Sequence, residues 1–353
     1  MVRRRIVRNC KGVLGKSQRV RCMRRTVLAS PDVFATRRGV AEGDWDSALL
    51  ALDGHFLQST PWQRVQSALG YEVLTARHAG WMWAAAVRGG AFPRYMYVPY
   101  GPTAGTDAVA AIGSTVSAAR GASLDFVRAE PVGTDISAAL MQAGAVHTRA
   151  IQPRWTWVLD IDASEDDLRR GLSAGHRGSI NAAPRRGLRF RSTRDPAEMS
   201  QFVELQRRAA ARAGFSGRSE RYHRTVASVL MPLGAAVLYI AEAEGRAVAA
   251  ALAFDFGSTR YYAHAVSDPD VGRHLSAAAP LVWQMILDAR AQGTRHFDFW
   301  GVVPDAPPDH AWAGFTRFKQ AFGGRLVERP GTWDLPVRSA RYRAYALMRR
   351  LRA

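Results

Sequence analysis

Residues 236–266 read AVLYIAEAEGRAVAAALAFDFGSTRYYAHAV, and this run decides the fold class. Its three stretches, 236–243, 247–256 and 260–266, alternate in the manner of an antiparallel meander rich in Tyr and Val. Downstream, an apolar helix over 277–291 ends at Gly293, and a buried strand follows over 296–299. Upstream come a strand over 154–159, a capped helix over 164–173, a strand over 188–192 and a long helix over 196–213. Strands and helices of both kinds thus share one unit of mixed α/β character.

An earlier stretch repeats this in kind. Phe56, Leu57, Trp62, Val65 and Leu69 fall at helical spacing, with Ser59 or Thr60 as N-cap and Pro61 at the first helical position. Short strands over 71–76, 81–87 and 95–99 follow, then a helix over 107–120, a strand over 123–129 and a helix over 135–144. Two successive α/β units of similar length, with no short-period repeat, predict a duplicated mixed α/β fold.

The chain has 353 residues, 47% hydrophobic and 22% charged, enough for a real core and two domains of ordinary size. Its formal charge of +19 points to an anionic partner: nucleic acid, phosphate or an acidic membrane face. That charge is uneven. Residues 1–30 hold ten basic side chains and no acidic one, which leaves 39 basic against 30 acidic in the body. The tail is expected to be disordered. It reads as an overextended start with initiation at Met23, or as a polybasic arm for RNA or anionic lipid. No secretory apolar run follows its basic start, and no stretch of about 18 apolar residues occurs. The expectation is a cytoplasmic chain without a transmembrane helix, with peripheral contact at the inner face of an anionic membrane as an option. Cys10 and Cys22, the only cysteines, have no further Cys or His nearby, so neither a disulfide framework nor a metal site is expected.

No Gly-x-Ser-x-Gly elbow, HExxH helix, Walker A loop or Rossmann fingerprint is present. A transfer from an already activated donor needs few protein groups beyond positioning and oxyanion stabilisation, and it fits this absence. Only three lysines occur, Lys11, Lys16 and Lys319, so 46 of the 49 basic residues are Arg. Lys319 is therefore alone in the body, beside Phe318, on a short helix closed by Gly323-Gly324. Either its compact ammonium does what a guanidinium fork cannot, or it is a surface lysine that compositional drift has left in place; composition alone does not decide.

A set of motifs does. In order they are Phe56-Leu57-Gln58-Ser59 with Trp62 and Leu69-Gly70; Tyr97-Val98-Pro99-Tyr100-Gly101-Pro102; Trp155-Thr156-Trp157-Val158-Leu159-Asp160; Arg177 with Ile180, Ala182 and Arg186-Gly187; Arg212-Ala213-Gly214-Phe215; Phe297-Asp298-Phe299-Trp300-Gly301; Phe318-Lys319 through Phe322-Gly323-Gly324; and Gly331-Thr332-Trp333-Asp334-Leu335-Pro336. Through them the chain resembles the FemABX family, from about Phe56 to Tyr345. Members of that family take an amino acid from aminoacyl-tRNA and attach it to the stem peptide of a peptidoglycan precursor. The resemblance implies two GNAT-like domains, 31–150 plus 331–353 and 151–330, the first completed by the C-terminal segment.

It also implies roles. Lys319 resembles the family's essential lysine, facing the ester carbonyl and stabilising the oxyanion. Phe318 resembles the aromatic that packs on the donor's 3′-terminal adenosine. Arg212, Tyr262 and His264 match acceptor-contacting positions, although tyrosine is usual where His264 stands. The family's Tyr-x-Pro-Arg-Gly-Pro run has Tyr100 in place of its Arg. Its following Asp is displaced to Asp107, and a lysine after the first Trp is missing, leaving Arg64 or Gln66 nearby. The acceptor side thus departs further than the donor side, which admits a peptide antibiotic as acceptor. Asp298 either orients the site or accepts structural hydrogen bonds. Trp155, Trp157, Trp300 and Trp333 are assigned to packing, and Arg207, Arg208 and Arg212 with Arg185 and Arg186 to a solvated or tRNA-facing surface. No cofactor is expected. An acyl-CoA-dependent enzyme is disfavoured because Val271–Ser276 offers one glycine where a pyrophosphate loop wants two. A catalytically silent RNA-binding protein is the rival from another class.

Overall fold

A computed structural model describes residues 36–213 and 217–351. The basic tail with Cys10, Cys22 and Met23 lies outside them, as do Gly214 and Phe215. Seven strands come first: β1 (Arg37–Arg38), β2 (Val73–His78), β3 (Trp81–Gly89), β4 (Arg94–Val98), β5 (Thr103–Ala104), β6 (Phe126–Ala129) and β7 (Val146–Thr148). The second set is β8 (Trp155–Asp160), β9 (Arg189–Thr193), β10 (Ala236–Ala243), β11 (Arg246–Phe256), β12 (Thr259–Ser267), β13 (His296–Val302) and β14 (Arg325–Glu328), and β15 (Thr332–Pro336) returns to the first. The sheets run β1-β2-β3-β4-β6-β15-β7, with β5 beside β3, and β14-β8-β13-β12-β11-β10-β9. The two mixed sheets and their helices form tandem GNAT-like domains, the first completed by C-terminal β15.

β15 is fixed by a buried bidentate pair: Arg128 donates to both carboxylate oxygens of Asp334 at 2.7 Å, and Tyr342 of the C-terminal helix Ser339–Leu351 donates to the same carboxylate at 3.1 Å. Neither that helix nor the helix Glu220–Leu230, which carries site residues, is among the elements expected from the sequence.

The meander forms as its pattern predicts, and its alanines have a reason. On β11, Ala249, Ala251 and Ala253 enter one apolar core while Ala250, Leu252 and Phe254 enter the other. Alternate residues point to opposite faces, and both faces are covered, so the strand is apolar throughout. The second of these cores also contains Phe56, Leu57, Val65 and Tyr100 from the N-terminal half; the two halves therefore share one core. The expected helix over 164–173 is two helices, Glu165–Gly171 and Ala174–Ala182. Leu172 is extended (ψ 146°), and Ser173 caps a fresh start by accepting from the His176 amide. Among the described residues no helix is long and apolar enough to cross a membrane.

Each sheet contains one parallel pair at its centre, β4 with β6 and β12 with β13. In the second sheet that pairing runs only from Thr259↔His296 to Tyr261↔Asp298. Beyond it both strands bulge: β12 slips against β11 around Ala263, and β13 slips against β8 between Asp298 and Gly301. Bulges re-aim side chains and end pairing. Here they open a gap between the two strands.

Candidate active site

At the gap Trp300 holds φ at +64°, a left-handed conformation that a bulky residue keeps only when its surroundings impose it. The imposing group is Asp298. Its buried carboxylate accepts from the Trp300 amide at 2.7 Å and from the Thr156 hydroxyl, and the Arg329 guanidinium lies 3.7 Å away. Burial pushes the Asp298 carboxyl up, and the Arg329 charge opposes that. Just past the slip, where β13 resumes pairing with β8 at Gly301↔Thr156, the Gly301 carbonyl accepts from Lys319 Nζ at 2.6 Å. An added Cβ at Gly301 would stand 2.4 Å from Pro153 Cγ, so the turn has no room for a side chain.

Lys319 sits on the helix Ala313–Gln320. Gly323 and Gly324 follow at φ +83° and +96°, and an added Cβ at Gly324 would lie 2.4 Å from the Val158 carbonyl. Only glycine lets the chain turn there and pass so close to β8. Burial pulls the Lys319 ammonium down to about 8, the Asp298 charge holding it from falling further. Of its three N–H donors Gly301 takes one, leaving two for a substrate oxygen.

Two cavities meet at the gap. The larger, about 920 Å³, is lined by Lys319, Phe318, Tyr262, Trp312 and Phe315. The smaller, about 660 Å³, is lined by His264, Tyr222, Arg88, Arg218 and Arg221 and, among the described residues, by no carboxylate. Ala263 and Trp300, the two bulge residues, line both. His176 fixes Phe318 from behind, with Nε2 3.1 Å from its carbonyl oxygen and ring centroids 5.1 Å apart.

Lys319 and Phe318 therefore share the larger cavity with Tyr262, which the sequence placed on the acceptor side with His264, while His264 borders the smaller cavity. His264 lies 3.3 Å from the Tyr222 hydroxyl. Burial, with the charges of His223 and Arg218, brings its imidazole down to about 3, so it is neutral at physiological pH. Gln66, the alternative to Arg64, also lines the smaller cavity, whereas Arg64, Asp107 and Arg212 line neither. Arg64 is exposed, Asp107 caps the helix Ala108–Gly121 by accepting from the Ala110 amide at 2.9 Å, and Arg212 is ion-paired with Asp270. Sequence reasoning missed Arg88, Arg218, Arg221 and Arg329. Arg88 ends a strand, and its guanidinium lies 3.5 Å over the Tyr71 ring while donating to Gln66 at 2.6 Å. Arg218 and Arg221 flank Ser219, an N-cap signal ahead of Tyr222 that marks the start of the overlooked helix.

Comparison with known proteins agrees with this architecture. The acetyltransferase (GNAT) domain family matches residues 171–319. Aminoacyltransferase FemA of Staphylococcus epidermidis is 27% identical over 92 residues, 26% of this chain and 22% of the relative. The match thus spans about a fifth of that protein's length. The crystal structure of FemX superposes with a TM-score of 0.75 over 87% of this chain and 99% of its own, at 18% identity. A tandem GNAT protein from the clavulanic acid biosynthesis pathway gives 0.53 over 86% and 99%, at 14% identity. The last two are likenesses of fold.

Proposed function

We propose that this chain, whose resemblance to the FemABX family is borne out by its FemA and FemX likenesses, is an aminoacyl-tRNA-dependent aminoacyltransferase. Its acceptor is the free amine of a peptidoglycan stem peptide, carried on UDP-MurNAc-pentapeptide or lipid II. The observation that carries the reading is Lys319: a half-buried ammonium, anchored on a bulge carbonyl, where two cavities of different chemistry meet.

The larger cavity takes the donor end, with Phe318 against the terminal base and the ester carbonyl toward Lys319. The smaller takes the acceptor, its anionic groups facing Arg88, Arg218 and Arg221 and its amine reaching past Ala263 and Trp300. The neutral amine nitrogen attacks the ester carbon, and negative charge gathers on the carbonyl oxygen, where the two remaining Lys319 donors stabilise it. Collapse forms the amide, breaks the ester C–O bond and releases the ribose hydroxyl, which receives the proton lost by the amine. The ester is already activated, so position and charge suffice. Within this reading, 31–150 plus 331–353 supplies one wall of the acceptor cavity and 151–330 the rest. The enzyme works in the cytoplasm or against the inner membrane face, where lipid II would be met.

The test incubates the full chain with tRNAs charged with labelled glycine, alanine, serine or leucine, plus UDP-MurNAc-pentapeptide or lipid II. Labelled amide is expected, and its loss in Lys319→Ala. Transfer from acetyl-CoA with none from any charged tRNA would overturn the reading in favour of the acyl-CoA chemistry that the GNAT-domain match allows. The substituted acceptor side, with Tyr100 and His264, supports a second acceptor, the amine of a peptide antibiotic, to be run as a parallel arm.

A further inference from the structure

Two large side chains in the donor cavity have no packing explanation. Trp312 and Phe315 are 41% and 66% exposed, yet both line the cavity that holds Phe318 and Lys319. Their spacing is regular: 312, 315 and 318 advance about 4.5 Å per step along a helix and stay within one side of it. The helix, AGFTRFKQ, has no carboxylate and turns Lys319 into the cavity, while Arg317 lies outside the lining. Asp268, the one acidic residue lining the cavity among the described residues, is already satisfied by Arg208 at 2.7 Å and by the amides of Asp270 and Val271 at 3.0 Å. A row of open aromatic faces ending at an ammonium, across from a neutralised acid, suits a ligand that is itself a row of rings on an anionic backbone. That is the chemistry of single-stranded nucleic acid, where stacking on successive aromatics supplies affinity without reading sequence. An apolar peptide or acyl chain would use the rings and gain nothing from the charge.

We propose that Trp312 and Phe315 extend the Phe318 contact into a stacking track for the unpaired 3′ nucleotides of an RNA. Phe318 takes the terminal base, and Phe315 and Trp312 take the bases before it. The inference rests on the reading of the donor as aminoacyl-tRNA. Trp312 also reaches the reaction centre: its ring edge would lie 3.0 Å from a Cβ added at Gly301. The track therefore runs up to the carbonyl that holds Lys319, and bases seated on it would fix the ester's approach.

The probe is an uncharged hairpin RNA with four unpaired 3′ nucleotides and 2-aminopurine one or two positions from its 3′ end, bound to the full chain. Trp312→Ala and Phe315→Ala are each expected to weaken binding about 5- to 100-fold and to abolish the quenching of 2-aminopurine that stacking causes. Trp312→Tyr should restore both. Removing two unpaired nucleotides should erase the difference between variants and wild type. Wild-type affinity and quenching in both alanine variants, with loss in Phe318→Ala, would overturn the track while leaving the donor assignment standing. A defect confined to KM for the peptide acceptor or for acetyl-CoA would give the surface to another ligand and overturn it too. Failure of the wild-type chain to bind the RNA would sink the donor assignment and the track together.

Discussion

The two halves of the chain are built around the same device, a central parallel strand pair, and treat it in opposite ways. Where β4 and β6 end, a buried carboxylate ties the chain together beside the smaller cavity, which Tyr97, Ile151 and Gln152 help to line. The buried Glu130 carboxylate accepts from the Tyr97 hydroxyl at 2.5 Å, the Thr332 hydroxyl at 2.6 Å, and the Ile151 and Gln152 amides at 2.9 and 2.8 Å, drawing strand, linker and C-terminal segment into one knot. Where β12 and β13 end, bulges on both strands hold the gap open, and the buried Asp298 spends its hydrogen bonds on keeping Trp300 at positive φ. A buried carboxylate thus ties the chain at one pair and shapes the gap at the other. In the proposed reading, the reacting groups gather where bulges on both strands interrupt the parallel pair.

The sharpest break between the halves is chemical. Replacing Lys319 by Ala is expected to cut the transfer rate about 10²–10³-fold with little change in the affinity for RNA. Lys319→Arg should be nearly as damaging, because the planar guanidinium cannot sit on the Gly301 carbonyl and still present its donors where the ammonium does. Single-turnover rates with charged tRNA check both, and a wild-type rate in the Arg variant would make the lone lysine an accident of composition. Next in size, the two carboxylates should separate by readout. Glu130→Ala strands four donors and is expected to cost about 3 kcal/mol of stability in urea unfolding, with kcat kept while the chain is folded. Asp298→Asn should instead lower kcat about 10- to 100-fold through a displaced Gly301 carbonyl. Equal effects of both variants on stability and rate would erase the distinction.

How far the sequence reaches follows the same division. The meander, the helix capped at Ser59, the long Ala-rich helix and the doubled α/β order are legible because they rest on local signals: periodicity, caps and turn glycines. Lys319 and Phe318 are legible because one is unique in the body and the pair sits in a motif. The proposed acceptor wall is not. Arg88, Arg218 and Arg221 are three arginines among 46, brought together from a strand end and a helix cap more than a hundred residues apart. Arg64, Arg212 and Asp107 look as suitable on paper, yet they lie exposed, paired or capping a helix. Nothing local separates an arginine facing a cavity from one facing water. The role of Asp298 is hidden for a related reason: a bulge is a relation between two strands, and one strand's residues do not announce it.

That acceptor wall supplies the next contrast. Arg88→Ala and Arg218→Ala each remove a charged donor from a cavity without carboxylates among its described lining residues and are expected to raise the acceptor KM about tenfold, leaving donor affinity unchanged. Arg64→Ala and Arg212→Ala should alter it less than about twofold, as exposed charges usually do. The reverse ranking would move the acceptor to the outer face of the helices that carry Arg64 and Arg212.

The smallest effect is also the one that ties site to stability. Because folding lowers the Lys319 ammonium from the ordinary 10.5 to about 8, the folded chain binds fewer protons at this residue than the unfolded chain between those values. Stability contributed through Lys319 therefore rises with pH across that window and is flat below it. The proposed transfer needs the ammonium and runs the other way: the rate should climb as the acceptor amine loses its proton, then fall above about pH 8. Subtracting the urea midpoints of Lys319→Ala from those of wild type at each pH isolates the residue's own contribution. A difference that grows from pH 8 to 10 while the rate declines places one proton, on one nitrogen, behind both curves. A rate still rising at pH 9.5, or a difference that does not move, would put the charge on Lys319 outside the reaction.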